Sequence, residues 1–533
     1  AGPRIGYDPG AQTGLSGSDF RHWDQMRVFL INPDSQIEEK IGGRFSRYAI
    51  PVPPQGIAYL AAQVRGAGHQ VHCHDQYATK IGHRELVDLV RAYSPDIVGL
   101  SVLTLAMGAV RTIVPMLRAE MPNLKIVLGN VHATVFPGEL LANGLADLIV
   151  RGEGEATFVH ALEMLEADGD LSEVAGLSFL LGGEPIHNPD RPTIADLDTL
   201  AYPEWSEFDL DLYKCVSLPL RIFEGTRPIP ILAARGCPFH CTYCAQDFAG
   251  KRLRARDLNA VCDEMEAAIE DYGADCFGFL DACFPVSKKQ GLEFAEIYIR
   301  RGLHKKAIWF TETRVDLVDL EVLQALREAE CRMVQYGFES GSDRVLQSIN
   351  KGGKATTARA LQTMRDTKKA DLLSFGLFMI GSPGETESDC EETIEFARKL
   401  DCDIAKFNLV VPYPGSDLFD EFRSQYESGG LDEDRVTGFF DWSNYGGELV
   451  YLPEGMSSEQ LIRLQRKALR RFYIRPALVW RFMTRRILSF RELAIGAVNL
   501  LLEVFRHSPW APGSVPDSAP SPRPTAVVGP PAG

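Results

Sequence analysis

Several things this 533-residue chain lacks narrow the field before any motif is read. It has no run of about eighteen apolar residues, so no segment is expected to span a bilayer. Positive charge is in deficit: 56 Lys and Arg against 72 Asp and Glu leave a net charge of −16. A broad nucleic-acid footprint needs clustered cations and is not expected. The opening residues, AGPRIGYDPGAQTGLSGSDF, are polar and lack the apolar centre of a secretory signal. Cysteines number 11 over the whole length, too few for a disulfide framework. A cytoplasmic, reducing location is therefore expected, and there a tight cysteine group reads as a metal site. The 45% hydrophobic and 24% charged content is that of a folded globular protein, long enough for about two to four domains.

After a start expected to be flexible (residues 1–25), apolar runs and helical patterns alternate. MRVFLINP, HQVHCHD, PDIVGLSV, LKIVLGN and ADLIVRG read as strands, each followed by a helical stretch. That pattern specifies a doubly wound parallel sheet over 26–165, with ligands expected at the carboxyl ends of its strands. A hairpin-like, proline-punctuated linker covers 166–225. Over 226–425 six more strand–helix units predict a partial (β/α)6 barrel, whose chemistry belongs at the strand C-termini. Residues 426–508 read as helical and basic, and 509–533 as a proline-rich disordered tail. The whole is an α/β chain.

RGCPFHCTYC places Cys237, Cys241 and Cys244 on the loop after the first barrel strand. No second CxxC pair follows to complete a four-ligand zinc site. Three thiolates on a four-iron cluster leave one iron open to an exchangeable ligand. The remaining cysteines (Cys73, Cys215, Cys262, Cys276, Cys283, Cys331, Cys390, Cys402) read as small core residues, with Cys283 alone kept as a further site candidate.

CxxxCxxC with an aromatic, Tyr243, before the last cysteine resembles the radical S-adenosylmethionine (SAM) superfamily. The resemblance implies a 4Fe-4S cluster whose fourth iron binds SAM, and reductive cleavage to a 5′-deoxyadenosyl radical. It extends to FLDACF, with Asp281 as a candidate contact to SAM, and to TETRVD, where the planar fork of Arg314 suits a carboxylate. YGFES brings Glu339 and Ser340, and the FMIGSPGET and VPYPGS loops, the latter with Pro412, resemble those that line the adenine.

The first domain, placed ahead of such a barrel, resembles a cobalamin-binding domain. SVLT supplies Ser101 and Thr104, GNVHAT supplies Gly129 and His132, and VRGEGEATF supplies the pocket-closing loop with Glu153. Asn130 stands where the family has its second glycine. The D-x-H-x-x-G motif that gives cobalt a lower histidine is missing: NPDSQIEEKIGG occupies its place. A weak lower ligand or none is implied, and His132 reads as a hydrogen-bonded loop histidine rather than a cobalt ligand. A nucleotide- or flavin-binding sheet is the alternative, weakened by the lack of G-x-G-x-x-G after the first strand.

Together these features resemble the class B, cobalamin-dependent radical SAM methyltransferases. The implied chemistry passes a methyl group from SAM through methylcobalamin to a radical on a small-molecule, secondary-metabolite-like substrate, as in antibiotic biosynthesis. The alternative is an oxidoreductase or cyclase using the same cofactors, as on a tetrapyrrole, without methyl transfer. A tRNA-modifying enzyme is disfavoured by the acidic charge, and a non-catalytic sensor is the reading outside enzymes. A flavodoxin- or ferredoxin-type electron donor is implied. The arginines of the C-terminal region (Arg463, Arg466, Arg470, Arg471, Arg475, Arg481, Arg485, Arg486) read as the solvated face of capping helices, with an acidic partner or peripheral membrane contact as alternatives.

Overall fold

The computed structural model describes residues 25–35, 52–214, 223, 225–245, 250, 252–351, 353–427 and 451–484. The start up to residue 24, Cys215, Arg485, Arg486, the tail, and residues 428–450 and 485–508 of the expected helical region lie outside the described residues.

Every apolar run read as a strand is one. In the first domain β1 (Arg27–Asn32), β2 (Gln70–Asp75), β3 (Ile97–Ser101), β4 (Lys125–Gly129) and β5 (Leu148–Val150) pair in parallel in the order β2-β1-β3-β4-β5. The hairpin expected within the linker, β6 (Leu177–Leu181) and β7 (Glu184–His187), continues this sheet antiparallel from β5 to give seven strands. Strand order reverses between β1 and β3, which opens a crevice at their carboxyl ends.

Around the sheet lie α1 (Gln55–Gly66), α2 (Gln76–Thr79), α3 (His83–Tyr93), α4 (Met107–Glu120), α5 (Asn130–Val135), α6 (Pro137–Ala142) and α7 (Gly154–Glu166). Both faces of β1 are buried, Val28 and Leu30 in one core and Phe29 and Ile31 in the other, which is why its apolar run is continuous. The first of these cores runs on through Trp205, Phe208 and Tyr213 of the connector into the second domain. Tyr213 Oη donates to Asp75 Oδ2 at 2.8 Å, fixing the connector on the first sheet.

In the second domain β8 (Pro228–Ile231), β11 (Cys276–Phe279), β12 (Ile308–Thr313), β13 (Cys331–Glu339), β14 (Leu373–Ile380) and β15 (Ile404–Leu409) form six parallel strands in chain order. A two-stranded antiparallel pair, β9 (Ala234–Arg235) and β10 (Arg254–Ala255), stands beside them. The helices are α8 (Leu258–Tyr272), α9 (Lys288–Arg300), α10 (Leu320–Glu328), α11 (Asp343–Ser348), α12 (Thr357–Lys369), α13 (Glu387–Leu400), α14 (Asp417–Glu427), α15 (Ser458–Tyr473) and α16 (Pro476–Thr484). Their starts are written in the sequence: Asp257, Ser287, Asp319 and Thr356 each accept a first-turn N–H, while Thr386 with Asp389 and Ser457 with Gln460 form capping boxes.

The basic C-terminal helices pair much of their charge with acidic side chains of the barrel. Arg463 pairs with Glu387, Lys467 with Glu391, and both Arg475 and Arg481 with Asp401. These helices cap the barrel beside β15 and α13, with Phe472 against Phe407 at 6.2 Å.

Candidate functional site

The antiparallel pair β9–β10 closes a loop that carries Cys237, Cys241 and Cys244 away from the end of β8. None of the three is in a disulfide and all three are half-buried, whereas every other described cysteine is buried. Gly236, at φ +81°, starts the loop in a left-handed conformation, and a Cβ there would lie 2.7 Å from the Gly250 carbonyl. The loop is pinned from the barrel side: Thr242 N–H donates to Ile349 O at 3.1 Å and Asn350 Nδ2 to His240 O at 2.5 Å. Among the described residues no three His, Cys, Asp or Glu side chains gather on a single ion. Thiols spread along a loop suit the corners of a multi-iron cluster better than a tetrahedral zinc.

Cations stand beside these thiols. Arg314 lies 4.0 Å over the Phe239 ring, is held by Asp316, and donates to Lys351 O at 3.1 Å. Lys351 Nζ pairs with Glu339 Oε1 at 2.9 Å and reaches Tyr243 Oη at 3.3 Å. Burial pushes the Cys237 thiol up, opposed by the Phe239 N–H and by Arg314 and Lys351. Glu339 itself sits at φ +62° on a bulge of β13, next to Gly337, so its carboxylate turns back across the strand toward Lys351.

A cavity of about 350 Å³ opens at the carboxyl ends of β1, β3, β4 and β5. Its far wall belongs to the second domain: Leu232, Ala234, Arg235 and Gly236, directly before Cys237, together with Leu280 and Ala282 after β11. One cavity therefore touches both the crevice of the first sheet and the root of the cysteine loop.

Residues 46–162 match the B12 binding domain family, and residues 231–397 match the radical SAM superfamily. The chain is 31% identical over 456 residues to an uncharacterized methyltransferase of Pyrococcus horikoshii, covering 85% of this chain and 93% of that protein. It is 30% identical over 505 residues to the anaerobic magnesium-protoporphyrin IX monomethyl ester cyclase of Cereibacter sphaeroides, covering 92% and 78%. Its fold resembles that of the cobalamin-dependent SAM radical enzyme OxsB with aqua-cobalamin and SAM bound, with TM-score 0.65 at 16% identity over 90% of this chain and 72% of that one. The chain belongs to the cobalamin-binding radical SAM enzymes. The cofactors of this family are a 4Fe-4S cluster, SAM and cobalamin.

The residues present fit these groups. Three half-buried cysteines on one loop flanked by two cations suit an anionic iron–sulfur cluster, and an apolar-walled cavity at the switch point suits a large flat cofactor. In this cobalamin-binding radical SAM chain, Ser101, Gly129 and Glu153 line the cavity. Asn130, which replaces the second family glycine, adopts φ +77°, a conformation Asn tolerates, and donates to Ser101 Oγ at 2.9 Å. Thr104 and His132 are not among the lining residues; they sit buried, with Oγ1 and Nδ1 3.1 Å apart. Burial, helped by Arg111, lowers His132 to about 4. Its imidazole is a neutral hydrogen-bonded group behind the cavity wall.

Of the residues expected around SAM, Tyr243, Arg314 and Glu339 meet at Lys351. Asp281 accepts from Ala233 N–H at 3.0 Å, and burial pushes its carboxyl up to about 7. It thereby ties the end of β11 to the root of the cysteine loop. Ser340 Oγ is committed to Thr393 at 3.1 Å, on the helix side of the sheet. Pro412 is buried beyond β15 in a loop whose Gly415 approaches Val135 of the first domain and Ala245 of the cysteine loop. Cys283 lies 3.3 Å from Thr313 Oγ1, and burial pushes its thiol up to about 11, as for a core residue.

Sequence reading missed Lys351 and the arginines Arg235 and Arg254. Lys351 stands at the end of YGFESGSDRVLQSINKG, where only a lysine following an apolar helix marked it. Arg235 and Arg254 bind Glu153 across the domain joint, and Arg235 also binds Glu155 at 2.6 Å. A long-range pair of this kind leaves no local signal.

Proposed function

We propose that this enzyme transfers a methyl group from SAM to a carbon of a small molecule, using cobalamin as the relay. The observation that carries the reading is the single cavity whose walls come from the cobalamin-type crevice and from residues 232–236 at the root of the cysteine loop. When bound, the reduced cluster supplies the electron that splits SAM, and cobalamin supplies a carrier for the methyl group.

The chain's own residues do the rest. Cys237, Cys241 and Cys244 hold the cluster. Lys351, Glu339 and Tyr243 form the polar wall against which the charged end of SAM is oriented, with Arg314 anchoring Lys351 through its carbonyl. Ser101, Asn130 and Gly129 line the entry between β3 and β4 where the cobalamin tail is received. Glu153 holds the first domain against the cysteine loop through Arg235 and Arg254. Leu232, Leu280 and Ala282 present apolar surface to the reacting carbon and keep water from a radical. A flavodoxin- or ferredoxin-type donor in the cytoplasm supplies the electron.

A cyclase that uses the same cofactors without moving a methyl group is the second reading, supported by the 30% identity to the Cereibacter sphaeroides enzyme. Anaerobic protein loaded with iron, sulfide and cobalamin, then given SAM and dithionite, separates them. S-adenosylhomocysteine formed only when cobalamin is present supports methyl transfer. 5′-Deoxyadenosine with no S-adenosylhomocysteine, with or without cobalamin, would turn the assignment to the cyclase.

A further inference from the structure

Alternation along the barrel strands sorts their side chains into two sets. On β12, Trp309 packs against Phe294 and Tyr298 of α9, while Thr311 and Thr313 bond to the carbonyls of Phe284 and Pro285. These face the helices, so Phe310 and Glu312 face the lumen. Phe310 confirms the direction, because its ring covers the position where a Cβ on Gly278 of β11 would stand. On β13, Tyr336 Oη bonds to Thr367 of α12 at 2.8 Å, which leaves Gln335 and Gly337 facing inward.

Register then assembles one lumen layer. Gly278 pairs with Phe310, so the next inward residues, Leu280 and Glu312, stand level. Glu312 pairs with Gln335, Gln335 with Phe375, and Phe375 with Ile404. Leu280 is 48% exposed and lines the cavity shared with the first domain. The layer meets that cavity at Leu280 and runs from there across the barrel lumen, where Phe310, Glu312, Gln335 and Phe375 are half-buried: apolar on both sides, with one carboxylate and one primary amide side by side.

Neither polar group is used by the protein. No hydrogen bond or ion pair is formed by the Glu312 carboxylate or the Gln335 amide among the described residues. The neighbouring cation, Lys351, is already held at 2.9 Å by Glu339. Lys406 on β15 belongs to the next layer, three strands away. Burial and the charge of Glu339 push the Glu312 carboxyl up, with Lys351 only partly opposing. A carboxylate kept in an apolar pocket without a partner is costly and is stabilised by an incoming cation.

We propose that Glu312 and Gln335 recognise the substrate, and that the substrate is a small molecule carrying a protonated amine near the carbon that reacts. This rests on the reading of the shared cavity, with the barrel lumen that adjoins it at Leu280, as the reaction chamber. The Glu312 carboxylate accepts from the ammonium group, the Gln335 carbonyl accepts a second N–H, and Phe310, Phe375 and Leu280 enclose the carbon frame.

The test measures binding without turnover, so it stands apart from the fate of the methyl-transfer reading. Loaded, unreduced enzyme is titrated with benzylamine and with the neutral isosteres benzyl alcohol and toluene, followed by saturation-transfer NMR. Benzylamine is expected to bind about tenfold or more tightly than either isostere. Glu312→Gln is expected to abolish that preference and Gln335→Met to reduce it, with iron content and cobalamin absorbance confirming that each variant is loaded. Equal binding of amine and alcohol, no amine binding, or a preference unchanged in both variants overturns the proposal.

Discussion

Glu153 and Arg254 form a two-point ion pair, Oε2 to Nη1 and Oε1 to Nη2 each at 2.9 Å, with both side chains less than a tenth exposed. Glu153 lines the cavity at the first domain's strand ends and Arg254 lies on β10, which closes the cysteine loop. Ile194 of the connector joins the same contact, its N–H donating to Glu153 and its carbonyl accepting from Arg254. Three parts of the chain thus meet on one carboxylate.

Removing that carboxylate leaves two buried guanidinium groups short of a partner. Glu153→Gln is expected to lower stability by about 3 kcal/mol, read as a lower unfolding midpoint. It is also expected to loosen the coupling between domains, so that 5′-deoxyadenosine accumulates in excess over S-adenosylhomocysteine during turnover. A variant with wild-type stability and an unchanged ratio of the two products would show that the pair does not set the joint.

The same pair has a pH signature. Burial alone would raise the Glu153 carboxyl, but the hydrogen bonds from Arg254 and Ile194 and the charges of Arg235 and Arg254 outweigh it and hold it below its ordinary value of 4.5. A carboxyl depressed in the folded state stabilises the fold above that ordinary value and loses its contribution as pH falls through the lower folded value. Unfolding midpoints of the wild type should therefore drop more steeply than those of Glu153→Gln as pH is lowered from about 5 to about 3. Parallel pH curves for the two proteins would contradict this.

Much of this architecture was legible in the sequence because its signals are local. Continuous apolar runs such as RVFLIN and IVGLS are what a strand buried on both faces requires, and the cysteine spacing is confined to a single loop. The exchange of glycine for Asn130 looked like a departure, yet Asn supports the positive φ needed there. What stayed hidden depends on contacts between distant residues. Glu153 with Arg254 joins positions 101 residues apart. Thr104 and His132 carry suitable chemistry in suitable motifs, but they bond to each other behind the wall. Only the direction in which α5 leaves β4 decides that, and periodicity does not record it.

The cysteines carry a direct prediction. Anaerobically reconstituted protein is expected to bind about four irons and four sulfides per chain. Cys237→Ala, Cys241→Ala and Cys244→Ala are each expected to abolish reductive SAM cleavage, measured as 5′-deoxyadenosine, while Cys283→Ala leaves iron content unchanged. Full iron content and cleavage in a triple variant of the loop would remove the cluster assignment.

His132 yields a spectroscopic one. Because it lies outside the cavity lining and its Nδ1 is engaged by Thr104, bound cob(II)alamin is expected to give an EPR spectrum without the nitrogen splitting of an axial imidazole. His132→Gln should leave that spectrum unchanged and cost about 1 kcal/mol of stability through the lost Thr104 hydrogen bond. Nitrogen splitting that vanishes in the variant would place the imidazole on cobalt.

The last prediction concerns the space beside Glu339. A Cβ on Gly337 would sit 2.7 Å from Lys351 Nζ and inside van der Waals contact with Glu339 Oε1, both of which lie over the bare glycine. Gly337→Ala must therefore push the Lys351–Glu339 ion pair away from the strand, whatever it does to the backbone. The pair also reaches Tyr243 Oη at 3.3 Å, one residue before Cys244, so displacing it moves polar groups at the edge of the cysteine loop without touching a thiol. Cluster content should survive while SAM binding weakens by about tenfold, read by equilibrium dialysis of the loaded protein. Lys351→Met removes the cation with little change of volume and should give the same loss of SAM affinity. If both variants bound SAM as the wild type does, the Lys351–Glu339 pair would have no part in holding it; loss of iron in both would make its role structural support of the cysteine loop.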